Sequence, residues 1–577
     1  MIAAQEVECR KICAERFFLA IACSTGSQFI MLGIFLLFVN FSIVHPVAWI
    51  TGSIGKIFSF YTWLCIIPLI GSVGIYGMLM ARHLATEPRY FHNRFSMYRS
   101  NGRMVAYLGA HGIVGFLTAW LYTKFLPDGY NSIVRGCNGD WCYNDKYIFM
   151  LLSGFYTGCY YFVKEIKSSN AVLFPIAQQG KYYQITSNLS GIFCKSLTMT
   201  IFSTASFIFS YWMGSLVLRW TIGGVFSLNH GGESLFGNLF TFLLDWELLI
   251  FVWIVSSQIL SNMFLITRFF HVFLTEYRAF PIVRIIGSSN EQEITLAEAL
   301  ACHKVPVIQD LACQDLFVVA NGGDVARRRD IFTLSIPGGH PNNWKAIVSQ
   351  SLRLITEFTQ KLTKSLEGCQ RAPILPARVA FVRPTATEMA DKILWTQYTE
   401  GLRIRRGNYP QDIFPPPPDS TTPAKFYTLQ DFRKMLSDYI ASGKRYLMTY
   451  PGIHFLFSET PFEEVFFHLK HSQRIIWIIQ AIAALTEKSI EEDKFGVVQT
   501  DLTDIIRTFL QLKGVLDKIG NLMLGERRID RNFLALKSAS RRSLYRISNT
   551  FSPYFGDLLL SDSDLRQLSL FVTYKEA

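Results

Sequence analysis

The sequence predicts an all-α protein, a six-helix transmembrane bundle followed by a helical cytosolic domain. Three observations predict it. The first half contains six runs of at least about 17 mainly apolar residues, close to the roughly 20 that a helix needs to cross a hydrocarbon core about 30 Å thick. The second half places apolar residues at helical spacing, and strand-type alternation is scarce in it.

Composition agrees with this division. Of 577 residues 50% are hydrophobic and only 17% charged, and the apolar residues are concentrated in the first half. Such a chain must fill large cores or face lipid. With 48 Phe and 11 Trp it buries surface, which excludes a disordered chain, a collagen-like repeat and a small disulfide scaffold. The 11 cysteines are odd in number and scattered from Cys9 to Cys369, unlike a secreted disulfide framework, so most are expected reduced. The net charge of +12 fits positive-inside loops and anionic headgroups before nucleic acid, and no direct nucleic-acid partner is expected.

The expected spans are Phe17 to Ile43, Ile57 to Ala81, Met104 to Tyr122, Tyr147 to Val163, Ser196 to Leu218 and Leu248 to Ile266, forming a transmembrane domain over 1–267. Lys and Arg residues set the orientation. The N-terminus, the Arg82–Arg103 loop and the Val163–Lys195 loop hold 12 of them, the three alternate loops 5, so both termini are expected in the cytosol. One expected lumenal loop carries Cys137 and Cys142 around Asn138-Gly139, a turn dipeptide. They form a candidate lumenal disulfide where the compartment is oxidising, the alternative being two reduced loop cysteines. The first apolar stretch is too long for the h-region of a cleaved signal peptide and reads as a signal anchor. Cys9 and Cys13, just outside that span, are possible acylation sites, the lesser reading. The sequons at Asn188 and Asn40 are expected unused, the first being cytosolic and the second too close to the bilayer.

Pumps and transporters generally place paired ionisable groups at depth. Here His111 stands alone within the third span, while Asp245 and Glu247 lie at the entrance to the sixth. A histidine hydrogen-bonded to a neighbouring helix is favoured over a proton relay. Gly71, Gly74, Gly77, Gly109, Gly112, Gly115 and the Gly154/Gly158 pair offer small faces for close helix packing.

Beyond residue 267 the chain divides into a cytosolic helical region over 268–405, a proline-rich linker over 406–425 containing Pro410 and Pro415 to Pro418, and a second helical region over 426–577. The linker reads as a spacer before it reads as a ligand for an SH3-type domain. Ile347, Leu352, Ile355, Phe358 and Leu362 share one helix face, as do Ile505, Phe509, Leu512, Leu516, Ile519 and Met523; both are expected to face a core. The 11-residue run Ile475 to Leu485 is too short for a span and is expected inside a folded domain. Arg527, Arg528, Arg531, Lys537, Arg541, Arg542 and Arg546 interleave with Phe533, Leu534, Leu536 and Leu544. Within this stretch Arg531, Lys537, Arg541, Arg542 and Arg546 are candidates for an anionic membrane surface, and a solvated helix with its apolar side on the core is at least as good a reading.

No catalytic residue, metal site or cofactor emerges. The chain has no Walker A loop, no G-x-S-x-G elbow, no H-E-x-x-H and no paired C-x-x-C signature. His340 lies in Pro337-Gly338-Gly339-His340-Pro341, where two prolines and two glycines dictate a rigid turn ahead of a helix near Trp344. A structural histidine is favoured there over a metal ligand.

Leu311-Ala-Cys-Gln-Asp-Leu316, Arg327-Arg-Arg-Asp-Ile-Phe332 and Ser335-Ile-Pro-Gly-Gly-His-Pro-Asn-Asn-Trp344, in this order and spacing, resemble the transmembrane nucleoporins of the nuclear division cycle (Ndc) family. Six preceding spans with both ends in the cytosol fit as well. The motif covers under 40 residues; elsewhere the likeness is architectural, and the proline-rich segment is shorter than the family's linker. The resemblance implies a membrane-embedded, non-enzymatic scaffold of the nuclear pore complex in the nuclear envelope, supporting pore assembly and recruiting soluble nucleoporins. It also implies an Aladin-type WD-repeat nucleoporin and an RRM-containing inner-ring linker nucleoporin as partners, beside nuclear membrane lipid and possible self-association. Pro337, Gly338, Gly339, His340, Pro341 and Trp344 are then a structural turn or a partner contact. The competing reading is a multispan endoplasmic-reticulum enzyme or transporter using His111.

Overall fold

Helix length and apolarity divide the molecule. The computed structural model describes residues 2–41, 44–84, 90, 102–127, 129–137, 140–165, 172, 174, 179–226, 245–283, 294–335, 338–371, 462–526 and 530–573. These hold sixteen α-helices and one two-stranded hairpin. The first seven helices are α1 (Ile2–Val39), α2 (Pro46–Ile57), α3 (Phe60–Leu84), α4 (Gly102–Thr123), α5 (Asp145–Lys164), α6 (Lys181–Phe226) and α7 (Trp246–Leu274). Stretches of five of them, Glu6–Val39, Phe60–Met78, Val105–Thr123, Lys181–Gly214 and Trp246–Leu274, are long and apolar enough to cross a membrane.

The run expected as the fourth span is helical as α5, yet it does not join those five. It starts at Asp145-Lys146, ends at Lys164 and carries four tyrosines. Eleven of its twenty residues are buried against neighbours, so it presents less side-chain surface outward and tolerates polar positions. Two other helices outrun their expected spans: α1 reaches back to Ile2, and α6 has 46 residues. Between α1 and α3, where only a loop was expected, the chain forms α2.

α7 is the centre of this half. Asp245 caps it, accepting from the Leu248 N–H at 3.1 Å, and 17 of its 29 residues are buried. Several of its polar side chains find partners on other helices, as an interior without bulk water favours. Ser261 meets Ser196 at 2.7 Å, Thr267 meets the Tyr161 hydroxyl at 2.8 Å, and Gln258 donates to the Met31 carbonyl at 2.7 Å. The closest helix approach is that of α4 and α5. A Cβ on Gly154 would lie 2.7 Å from the Gly115 carbonyl oxygen, so only glycine permits it. Gly77 and Gly112 are similarly filled by Ile21 and Phe155, whereas Gly71, Gly74 and Gly109 face open space.

Between α4 and α5, β1 (Val134–Cys137) pairs antiparallel with β2 (Asp140–Tyr143). The backbone register sets Cys137 opposite Asp140 and Cys142 opposite Arg135, while the Asn138-Gly139 turn lies outside the described residues.

The remaining helices are α8 (Leu296–Leu300), α9 (Pro306–Asn321), α10 (Val325–Phe332), α11 (Asn342–Arg371), α12 (Glu463–Lys470), α13 (Gln473–Glu492), α14 (Leu502–Glu526), α15 (Arg531–Phe551) and α16 (Asp562–Val572). Local sequence fixes their starts. Thr295 and Glu298 form a reciprocal capping box on α8, Pro306 opens α9, and Asp324 caps α10. α9 packs along α13, and α13 along α15. The run Ile475 to Leu485 lies on α13 with all its apolar residues buried, as expected of a core helix. The expected stripe of α14 is buried from Ile505 to Ile519. On α11, Trp344, Ile347, Ile355 and Leu362 are buried, and Leu354 is more deeply placed than Leu352.

The chain forms two compact units, one of Met1–Phe91, Ser96–Thr363 and Glu464–Ala577, the other of His92–Phe95 and Lys364–Glu463. Everything above belongs to the first, apart from Glu463 and the α11 residues beyond Thr363. In the second, only 364–371, the last turns of α11, and 462–463 are described, and the proline-rich segment lies outside the described residues.

Candidate functional site

The junction between the apolar bundle and the polar helical half is where chemistry-bearing side chains converge. On the bundle side, Arg16 of α1 is 8% exposed and reaches the end of α7. Its Nη1 donates to the carbonyls of Leu274 at 2.9 Å and Glu276 at 2.7 Å, with Phe273 at 3.4 Å. A helix C-terminus presents unpaired carbonyls and partial negative charge, both answered by a guanidinium. Lys304, just ahead of α9, closes the same region with an ion pair of 2.5 Å to Glu6 of α1.

Beyond that helix end, Asp315 of α9 collects the chain leaving α7. Its fully buried carboxylate accepts two parallel bonds from Arg327 of α10, at 2.9 and 2.6 Å, and further bonds from the Tyr277 hydroxyl at 2.7 Å and the Phe280 N–H at 2.8 Å. Arg327 also donates to the Phe280 carbonyl at 2.6 Å. The carboxylate is therefore saturated with donors, the condition under which burying such a pair is tolerable. Burial, reinforced by the bond to Asp315, pushes the Tyr277 hydroxyl up to about 12. Burial alone would lower Arg327, but its bonds to Asp315 carry it above its ordinary value.

The neighbouring Arg328 performs a second clamp. It is 4% exposed and grips Glu492 at the end of α13 through two 2.7 Å bonds, while Nη1 donates to the Gly322 carbonyl at 2.8 Å. Those bonds hold the Glu492 carboxyl below its ordinary value. At the other end of α13, Arg474 pairs with Asp310 of α9 at 2.8 Å. The α9–α13 contact is thus held at one end by the Arg474–Asp310 pair and at the other by Arg328 of α10, which bonds both Glu492 and the carbonyl that follows α9.

The glycine turn joins α10 to α11. Gly338 and Gly339 have φ of 115° and 64°, positions that favour residues without a Cβ, and Pro337 lies outside the described residues. The Ser335 N–H donates to the His340 carbonyl at 2.9 Å and the Gly339 N–H to the Ser335 carbonyl at 2.8 Å, closing the loop on itself. The His340 side chain is exposed. The Lys345 N–H donates to the Pro341 carbonyl at 3.0 Å. Trp344 is completely buried, packs on Phe332 with ring centroids 5.6 Å apart, and donates from Nε1 to Asp501 at 3.0 Å. The turn thereby seats the start of α11 on α10 and on the segment ahead of α14.

His111 is shut off from solvent within the bundle. It is fully buried, with Nδ1 2.6 Å from the Tyr107 carbonyl and Nε2 2.8 Å from the Tyr76 hydroxyl. Because a carbonyl only accepts, Nδ1 carries a proton, and through Tyr76 the ring bridges α3 and α4. Tyr76, Tyr161 and Phe162 surround it.

In the basic stretch, Lys537 and Arg541 turn to Asp517 of α14 at 3.2 and 3.8 Å, and Arg546 pairs with Glu487 of α13. Although burial opposes it, the Lys513 and Lys537 bonds hold the Asp517 carboxyl below its ordinary value. Phe533, Leu536, Leu544, Ile547 and Phe551 on the same helix are buried, and Arg531 and Arg542 are exposed. Arg527 and Arg528 lie outside the described residues, as do the side chains of Cys137 and Cys142. Cys9 and Cys13 are buried at 1% and 4%, which shields them from an acyl donor. Among the described residues, no group of three or more His, Cys, Asp or Glu is placed to hold a metal ion.

Sequence reasoning quoted Asp315 and Arg327 only as letters of a motif and missed Arg16. The usable signal was a lone arginine at the edge of a long apolar run, and an acid within an otherwise buried helix face.

A family model described as "Nucleoporin protein Ndc1-Nup" matches residues 11–569. The chain is 32% identical to Nucleoporin Ndc1 of Drosophila pseudoobscura pseudoobscura over 574 residues, covering 97% of both chains. It is 24% identical to Nucleoporin NDC1 of Homo sapiens over 645 residues, covering 94% of both. Nucleoporin ndc-1 of Caenorhabditis briggsae matches at 26% over 279 residues, 46% of this chain and 41% of the relative. Apart from Glu6, the junction residues described above fall inside the matched range, and the chain belongs to the Ndc1-Nup family of nucleoporins, structural proteins of the nuclear pore complex and not enzymes.

Proposed function

We propose that the chain anchors the nuclear pore complex in the nuclear envelope, with α1, α3, α4, α5, α6 and α7 as six spans and both termini on the cytosolic side. The polar helical half then recruits soluble nucleoporins and supports pore assembly, with an Aladin-type WD-repeat protein and the RRM-containing inner-ring linker nucleoporin as partners. The observation that carries this reading is the clamped junction. Arg16 holds the end of α7, and Asp315 with Arg327 holds the chain that follows it, so force applied to the helical half is passed to the membrane bundle through buried bonds. A flexible tether would not do this.

The enzyme or transporter reading is not favoured, because the ring nitrogens of His111 are both engaged within a packed aromatic cluster. A C-terminal fluorescent fusion imaged beside a pore marker tests the proposal. Puncta coinciding with pores on the nuclear rim are expected; an even reticular signal from a functional fusion would defeat it.

A further inference from the structure

α2 has its sides arranged the wrong way round for water. Val47, Ile50, Ile54 and Phe58 recur at helical spacing on one face and its C-cap, and they are 73%, 45%, 47% and 72% exposed. The opposite side carries the polar groups and turns them onto α1. The Trp49 indole N–H donates to the Leu37 carbonyl at 2.7 Å, the Ser53 hydroxyl to the Leu36 carbonyl at 3.4 Å, and Lys56 to the Asn40 side chain at 2.6 Å. Leu36 and Leu37 belong to the last turn of α1; the Leu36 carbonyl also accepts from the Asn40 N–H at 3.1 Å and the Asn40 side chain at 2.8 Å, whereas the Leu37 carbonyl takes the Trp49 indole. At Leu37 the α2 indole supplies a partner where water would otherwise be needed, which is the arrangement a low-water environment selects.

Beside α2, α1 carries an exposed apolar stripe of its own. Ile30, Ile34, Leu37, Phe38 and Phe41 are exposed along that helix and its end, at spacings of three and four residues, and Phe41 meets Trp49 edge-on at 4.9 Å. On the anchoring reading this stripe faces lipid. With 12 residues, α2 is about 18 Å long, too short to span a hydrocarbon core. Its one charged side chain, Lys56, is tied to the end of α1, so attraction to anionic headgroups contributes little.

We propose that α2 is an interfacial helix lying within one membrane leaflet, at the end of α1 remote from the N-terminus, with Val47, Ile50, Ile54 and Phe58 among the acyl chains. Its partner is the lipid itself, engaged through apolar insertion and not through charge. The inference rests on the anchoring reading and adds to it a wedge that widens the bundle in a single leaflet.

The test uses the full chain reconstituted in phosphatidylcholine vesicles, with a diazirine-bearing amino acid placed singly at Phe38, Ile50, Ile54 or Lys56 and the adducts identified by mass spectrometry after illumination. Lipid adducts are expected at Ile50 and Ile54 at yields comparable with Phe38, and adducts to α1 at Lys56. Lipid adducts at Phe38, with only protein or water adducts at Ile50 and Ile54, would overturn the inference while leaving the anchor intact. Absence of lipid adducts at Phe38 as well would overturn the anchoring reading, and the inference with it.

Discussion

Arg327 of α10 presents its two Nη atoms to the two carboxylate oxygens of Asp315 on α9, at 2.9 and 2.6 Å, with the acid fully buried. Twelve residues separate them, so the pair staples α9 to α10, and through Tyr277 and Phe280 it staples both to the segment leaving α7. Removing one partner strands the other. Asp315→Ala should cost about 3–5 kcal/mol, because the guanidinium keeps its desolvation without its counter-charge. Arg327→Lys should recover little of the corresponding loss, since an ammonium cannot reproduce two parallel bonds. Thermal unfolding of the detergent-solubilised protein reads both, and an Asp315→Ala melting point equal to the parent would refute the clamp.

Trp344 supplies the second test, because the turn ahead of it has two readings. The buried indole packs on Phe332 and bonds to Asp501, so Trp344→Ala should lower stability by about 3–5 kcal/mol through the cavity it leaves. Trp344→Phe keeps most of the packing and loses the hydrogen bond, for about 1 kcal/mol. A partner contact would give the opposite pattern, with melting preserved and nucleoporin capture lost in a pull-down.

The glycines of the bundle divide by what faces them. Gly154→Leu would drive a side chain into the Gly115 backbone and should cost at least about 1–3 kcal/mol, as overpacking does. Gly71→Leu points into open space and should stay within about 0.5 kcal/mol of the parent. Equal melting points for the two variants would show that α4 and α5 do not approach at these residues.

The sequence made the helical class, the placement of the six apolar runs as helices, the burial of Ile475 to Leu485 and the α14 stripe readable, because each follows from periodicity or run length. It did not separate Gly71 from Gly154, since small residues look alike until a neighbouring helix is placed against one of them. α5 was indistinguishable from a lipid-facing span because its polar residues reveal their role only once the bundle shields them. α2 leaves no helical signal, since 12 residues with Gly52 and Gly55 hold too little local propensity; its bonds to the end of α1 provide what the sequence lacks. Arg16 was counted as a positive-inside charge, although its partners lie more than 250 residues away. Long-range pairing of this kind leaves no local trace.

Arg328 and Glu492 give a pH dependence whose sign is fixed. The hydrogen bonds from Arg328 lower the Glu492 carboxyl in the folded protein relative to its ordinary value of 4.5. The folded state therefore binds this proton more weakly than the unfolded state. The stability contributed by the pair is complete above the ordinary value and is lost as pH falls through the lowered folded one. Glu492→Gln carries no titrating group, so it should melt below the parent at neutral pH, with the gap closing as the pH drops under about 4. Arg328→Ala should destabilise most at neutral pH and reverse the acid dependence attributable to Glu492, because the carboxylate then stays buried without its counter-charge and protonation relieves it. Melting points taken from pH 7 to pH 3 for the parent and Glu492→Gln decide it. A gap that stays constant with pH would mean that the carboxyl titrates at its ordinary value and that Arg328 does not hold it.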